Sequence, residues 1–135
     1  MLNTAQPNQQ TIPTLVVSRP GIMRQSLRAA LAVYPWIALM TSAGDGLTAL
    51  NYTVQHQPRL LIIDCNLLEE EVEALLAAVK VRAPETHCLV CTRSSQAAER
   101  LLVAGADGVV LRDSPAQELE LALLRLTQEE TDRRI

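Results

Sequence analysis

Residues 60–71 read LLIIDCNLLEEE. Four consecutive apolar residues lead into a single aspartate, and the apolar positions then change to helical spacing. A strand with one wet face alternates apolar and polar residues. An unbroken apolar run instead marks a strand buried on both faces, as in a parallel sheet covered by helices. Leu68, Val72, Leu75, Leu76 and Val79 then recur along one side of a helix. Glu69, Glu70 and Glu71 fall in its first turn, where the helix dipole favours acids. They read as a solvated helix start rather than a metal site. Asp64 closes the buried strand, so some partner must hold its charge there.

The same alternation extends in both directions. TLVVS (14–18) reads as a strand, with Ser18 or Arg19 near a helix cap and Pro20 in the first turn. Met23, Leu27, Ala30, Leu31 and Tyr34 form one helical face, closed by Pro35. WIALMTS (36–42) is the second strand, AGDG a turn, and Leu47, Leu50 and Val54 continue on a helix that ends before Pro58. RLLIID (59–64) is the third strand and HCLVCT (87–92) the fourth. Ala98, Leu101 and Leu102 lie on a short helix stopped by Gly105. GVVL (108–111) is the fifth strand. Ser114, Pro115 and Gln117 supply a cap, a first-turn proline and a capping-box partner. Leu119, Ala122, Leu123 and Leu126 form the buried stripe of the last helix.

Strict strand–helix alternation predicts an α/β fold: a single doubly wound five-stranded parallel sheet with five helices. The 135 residues suit one domain. The expected division is a flexible segment at 1–13, the domain at 14–127, and a charged tail or linker start at 128–135. Ligands of such sheets sit beyond the C-terminal strand ends, near a switch in strand order. Ser18, Asp64, Thr92 and Arg112 all fall at that edge.

Composition narrows the function classes. Net charge is −3 without a basic block, aromatics are 2% and there is no Phe. A nucleic-acid surface or base-stacking platform is therefore not expected. No apolar run approaches the roughly 20 residues of a membrane span, and residues 1–13 lack the apolar core of a signal peptide. The expected compartment is the cytoplasm. Three cysteines suggest reduced thiols. Cys88 and Cys91 form a C-x-x-C, but on a strand residues three apart point to opposite faces. They read as buried small side chains, and Cys65 as structural. His56 and His87 fall away from the strand-end edge. No Ser-His-Asp set, phosphate loop or metal-ligand cluster is visible, so an enzyme is not expected.

TSAGDGLTAL, PRLLIIDCNL and GADGVVLRD, in this order and spacing, resemble the receiver domain of two-component response regulators over about residues 14–127. The resemblance implies a flavodoxin-like receiver fold. It also implies an acidic pair for magnesium after the first strand, a phosphorylated aspartate after the third, a Thr or Ser after the fourth and a Lys after the fifth. Taken position by position, Asp64 is equivalent to the phosphoacceptor, and Thr92 and Arg112 to the switch residues. Ser18 and Arg19 stand at the degenerate metal positions. Val109 replaces an aromatic that often switches rotamer. The loop after Thr92 is short, and NLLEE lacks the usual Pro/Gly after the aspartate.

Magnesium takes oxygen ligands, usually with one or two carboxylates. Arg19 instead places a fixed positive charge at the metal position. The repulsion is about 4 kcal/mol at 4 Å with an effective dielectric of 20, which disfavours a cation and favours an anion. Arg19 and Arg112 are expected to reach Asp64 from two sides, or Arg19 to extend into solvent. The leading functional expectation is an atypical, phosphorylation-independent receiver. It would act without cofactor as a protein–protein interaction module in signal transduction or transcription regulation. The alternative is a functional receiver phosphorylated on Asp64 by a histidine kinase, with magnesium. A third reading is a small-ligand binder at the strand-end crevice. Leu121 and Leu124, outside the buried stripe of the last helix, are the candidate homodimer interface. The signalling partner is an unknown protein, with no direct nucleic-acid contact and no membrane.

Overall fold

The computed structural model describes residues 11–64, 66–114 and 116–134, with side chains described as far as residue 128. The elements are β1 Ile12–Val17, α1 Ile22–Ala32, β2 Ile37–Ala43, α2 Gly46–His56, β3 Leu60–Ile63, α3 Glu69–Arg82, β4 His87–Thr92, α4 Ser95–Ala104, β5 Gly108–Leu111 and α5 Ala116–Arg134. All strand pairs are parallel, in the order β2-β1-β3-β4-β5. The chain steps outward from β1 to β2 and then returns to place β3 on the other side of β1. The switch in strand order therefore lies between β1 and β3, and Ser18 and Asp64 are the residues that follow these two strands.

All four residues of β3 are buried, and they divide alternately between the two faces. Leu60 and Ile62 pack with Leu27, Leu31, Leu123 and Leu126 beneath α1 and α5. Leu61 and Ile63 pack with Ala49, Val72, Leu76 and Leu101 beneath α2, α3 and α4. This two-sided burial is what the unbroken apolar run required. Cys88 and Cys91 likewise fall in opposite cores, and both are buried. Burial pushes the Cys88 thiol up to about 12, so near neutrality it carries its proton and is a poor nucleophile. Native protein at pH 8 should leave both thiols unlabelled by iodoacetamide over a time in which denatured protein is labelled at both. Rapid labelling of the native pair would contradict this packing.

Several sequence expectations need correction. β1 starts at Ile12, two residues early, because buried Ile12 pairs with Ile37 and its N–H donates to Trp36 O at 2.8 Å. Pro13 sits near the strand start, where its missing donor is tolerated. α1 begins at Ile22, with Gly21 as its N-cap at φ 140, so Pro20 precedes the helix instead of entering its first turn. Within α1, Leu27 and Leu31 are buried but Ala30 is exposed. Part of AGDG is a cap: Asp45 Oδ1 accepts from Thr48 N at 2.8 Å at the start of α2. Leu68 is the extended N-cap of α3 and is exposed, while Leu67 is buried in its place. In α4 the inward residues are Ala97 and Leu101, and Leu102 is exposed. Gly105, at φ 129, ends α4 as expected. Ser114 Oγ donates to Leu111 O at 2.6 Å. The backbone of α5 stays helical to Arg134, through most of the expected tail. The readings of residues 1–10, Cys65, Pro115 and Ile135 lie outside the described residues.

Candidate functional site

The C-terminal edge of the sheet brings Ser18, Asp64 and Arg112 together. Asp64 N donates to Val17 O at 2.9 Å, extending the β1–β3 ladder by one residue and fixing the aspartate at the switch point. Its side chain is fully buried. Oδ2 accepts the Ser18 hydroxyl at 3.1 Å, and Oδ1 lies 3.2 Å from Arg112 Nη1. Arg112 Nη2 donates to Met23 O across the site at 3.4 Å. Ser18 is also buried, and its oxygen accepts from Asn66 Nδ2 at 3.1 Å. The result is a donor chain, Asn66 to Ser18 to Asp64, that ends on the carboxylate. Arg24 secures the end of β1 from α1, with Nε and Nη2 donating to Ser18 O at 3.0 and 2.5 Å.

Arg19 does not reach Asp64; its side chain is half-exposed and lies across the β3–α3 connection. Its backbone N–H donates to Asn66 Oδ1 at 3.2 Å, its Nε donates to Asn66 O at 2.9 Å, and its Nη2 lies 3.6 Å from Glu71 Oε1. Adjacent residues of extended chain point to opposite sides. Ser18 turns inward to Asp64, so Arg19 turns outward across the β3–α3 connection. Its guanidinium thus sits among a backbone carbonyl and a carboxylate, the oxygen types a divalent cation would use. Glu71 is correspondingly more than a solvated helix start: its Oε2 also accepts from Gly46 N at 2.7 Å. Glu69 pairs with Arg100 at 2.8 Å on the outer surface. No cluster of three or more His, Cys, Asp or Glu suited to a metal occurs among the described residues.

Thr92 is at the same edge and buried. Its Oγ1 accepts from Ser94 N at 3.3 Å, and its carbonyl accepts from Arg112 N at 2.6 Å. Val109 is half-buried in β5. Leu121 and Leu124 are exposed on α5, whereas Leu123 and Leu126 are buried. His56 stacks on Tyr52 with ring centroids 4.2 Å apart. His87 lies at the opposite sheet edge, 3.9 Å from Asp107. Sequence reasoning missed Asn66, Arg24 and Met23. Asn66 carried a usable signal, since an asparagine just after a strand commonly braces a turn through its side chain. The backbone acceptors of Arg24 and Arg112 had none.

Five parallel strands in this order, with an aspartate buried at the switch point between β1 and β3, form a flavodoxin-like fold of the receiver type. Oxygen regulatory protein NreC of Staphylococcus epidermidis (strain ATCC 12228 / FDA PCI 1200) is 32% identical over 115 residues, covering 82% of this chain and 52% of NreC. Nitrate/nitrite response regulator protein NarP of Escherichia coli (strain K12) is 24% identical over 115 residues, covering 84% of this chain and 54% of NarP. The chain spans about half the length of these curated relatives. The signal receiver domain of an HD domain-containing protein from Pseudomonas fluorescens Pf-5 superposes with a TM-score of 0.78 at 22% identity, covering 98% of both chains. No protein-family model matches the sequence. Among the described residues no helix is long and apolar enough to cross a membrane.

Proposed function

We propose that this receiver works in cytoplasmic signalling without phosphoryl transfer, as a non-enzymatic protein-interaction module. The observation that supports this reading most is the fully buried Asp64, held by Ser18 and Arg112 while Arg19 fills neighbouring oxygen sites. Phosphoryl transfer depends on positioning and on charge neutralisation by metal and basic groups. Here the basic groups are present, but the second and third carboxylates are replaced by Ser18 and Arg19. A nucleophilic carboxylate must also meet its donor in line, and this one is covered. One relative of the chain is by name a nitrate/nitrite response regulator. Regulation of transcription through an attached or separate partner fits the module, with no nucleic-acid contact by the domain itself and no cofactor.

The interaction surface we assign is α5, used by a second copy of the chain. Leu121 is 65% exposed and Leu124 44%, and neighbouring exposed leucines suit an interface core. Sedimentation at several concentrations should give a dimer for untreated protein, unchanged by magnesium plus acetyl phosphate. Leu121→Glu with Leu124→Glu should give a monomer, since two buried carboxylates per subunit would face apolar surface. A wild-type monomer, or a dimer that appears only after acetyl phosphate, would overturn this reading.

A further inference from the structure

A cavity outside the Asp64 site, sharing Arg112 with it, opens between α1 and α5. Its volume is about 320 Å³, at the lower end of the range for small-molecule pockets. Leu27 and Ala30 line it from α1, Cys91 and Val110 from the sheet, and Leu119 from α5. Arg112 is the one charged residue of the lining. Leu27, Cys91 and Val110 are buried and form a floor, whereas exposed Ala30 forms part of the rim. An apolar cleft with a single cation at one end is complementary to a molecule with an apolar body and one acidic group. Arg112 is 23% exposed, and its Nη2 donates to Met23 O over a long 3.4 Å, a weak hydrogen bond that a ligand carboxylate can displace.

We infer that the α1–α5 cleft binds a small amphipathic carboxylic acid whose carboxylate engages Arg112. The body lies over Leu27, Cys91 and Val110, and the acid competes with Asp64 and Met23 O for the same guanidinium. Occupancy is thereby coupled to the Asp64 site, because Arg112 cannot lean toward the ligand without loosening its 3.2 Å contact to Asp64. The cleft would take such a ligand whether or not Asp64 is ever phosphorylated.

The test is titration of ¹⁵N-labelled protein with phenylacetate and octanoate, each against its neutral amide. Saturable shifts are expected at Ala30, Val110 and Arg112, accompanied by shifts at Ser18 and Asp64, with the amides binding at least tenfold more weakly. Comparing the two acids separates an aromatic from an aliphatic body. Ala30→Phe, which fills the rim from an exposed helix position, should abolish the shifts while leaving the fold intact. The proposal fails if neither acid gives saturable shifts, if the amides bind equally well, or if Ala30→Phe has no effect. It also fails if the cleft signals move with protein concentration instead, which would make a second copy of the chain the occupant.

Discussion

Arg112→Met should lower the stability of the domain by about 3–5 kcal/mol, the usual cost of removing one partner from a buried ion pair. Domains of this size have only about 5–15 kcal/mol in total, so the loss is a large share of the whole. The cause is the asymmetry of the pair. Asp64 has no solvent exposure, whereas Arg112 is 23% exposed. Losing the arginine leaves a charged carboxylate in the interior with the Ser18 hydroxyl but no guanidinium. Losing the aspartate's charge leaves an arginine that can turn toward water. Asp64→Asn should therefore cost much less, about 1 kcal/mol, the scale of one ordinary hydrogen bond. The double variant Asp64→Asn with Arg112→Met should recover most of the stability lost in Arg112→Met. Urea denaturation of the four proteins reads this out, and equal losses from both single changes would show that the pair is not what holds Asp64.

The second large effect concerns metal. Ser18→Asp with Arg19→Asp should convert a domain indifferent to magnesium into one stabilised by it. Without metal, the carboxylate introduced by Ser18→Asp would face Asp64 across the 3.1 Å now spanned by the serine hydroxyl, and two carboxylates so close repel. The apo variant should therefore melt below wild type. With millimolar magnesium the carboxylates become ligands, and stability should rise in proportion to the logarithm of metal concentration above the dissociation constant. The fixed charge of Arg19 is half-exposed and turned away from Asp64, so removing it contributes only a solvent-screened part of the gain. Arg19→Ala alone removes that charge, and also a partner of Glu71 and Asn66, without supplying a ligand. It should leave magnesium binding undetectable. Thermal melts with and without magnesium separate these cases. A magnesium-dependent rise in wild type or in Arg19→Ala would show that the missing carboxylates are not what matters.

The layout of the fold was legible because apolar runs and helical stripes are local signals. LLII announced burial on both faces, and it sits between the two helix layers. Strand-end placement followed from topology alone, and so Ser18, Asp64, Thr92 and Arg112 could be gathered before any geometry was known. Direction was not legible. Which way Arg19 turns depends on the pleat at the last residues of β1 and on a partner, Asn66, that is 47 positions away. Ser18, read as a residue near a helix cap and as a lost metal ligand, is the hydroxyl that bonds Asp64. Element edges failed where chemistry and position conflict. Pro13 disguised the start of β1, and Leu68 looked like a core residue although its backbone is still extended before α3. The cleft between α1 and α5 was invisible for a similar reason, since Ala30 fits the helical period but is exposed and lines the cleft.

Ser18 and Arg112 already engage both oxygens of Asp64. The most direct measurement compares backbone amide spectra of the untreated protein with spectra taken in magnesium plus beryllofluoride, a phosphoryl mimic. The expected result is coincidence of the Ser18, Asp64, Thr92 and Arg112 signals under the two conditions. Saturating shifts at those four residues, spreading into β4 and β5, would contradict it and make Asp64 a working phosphoacceptor.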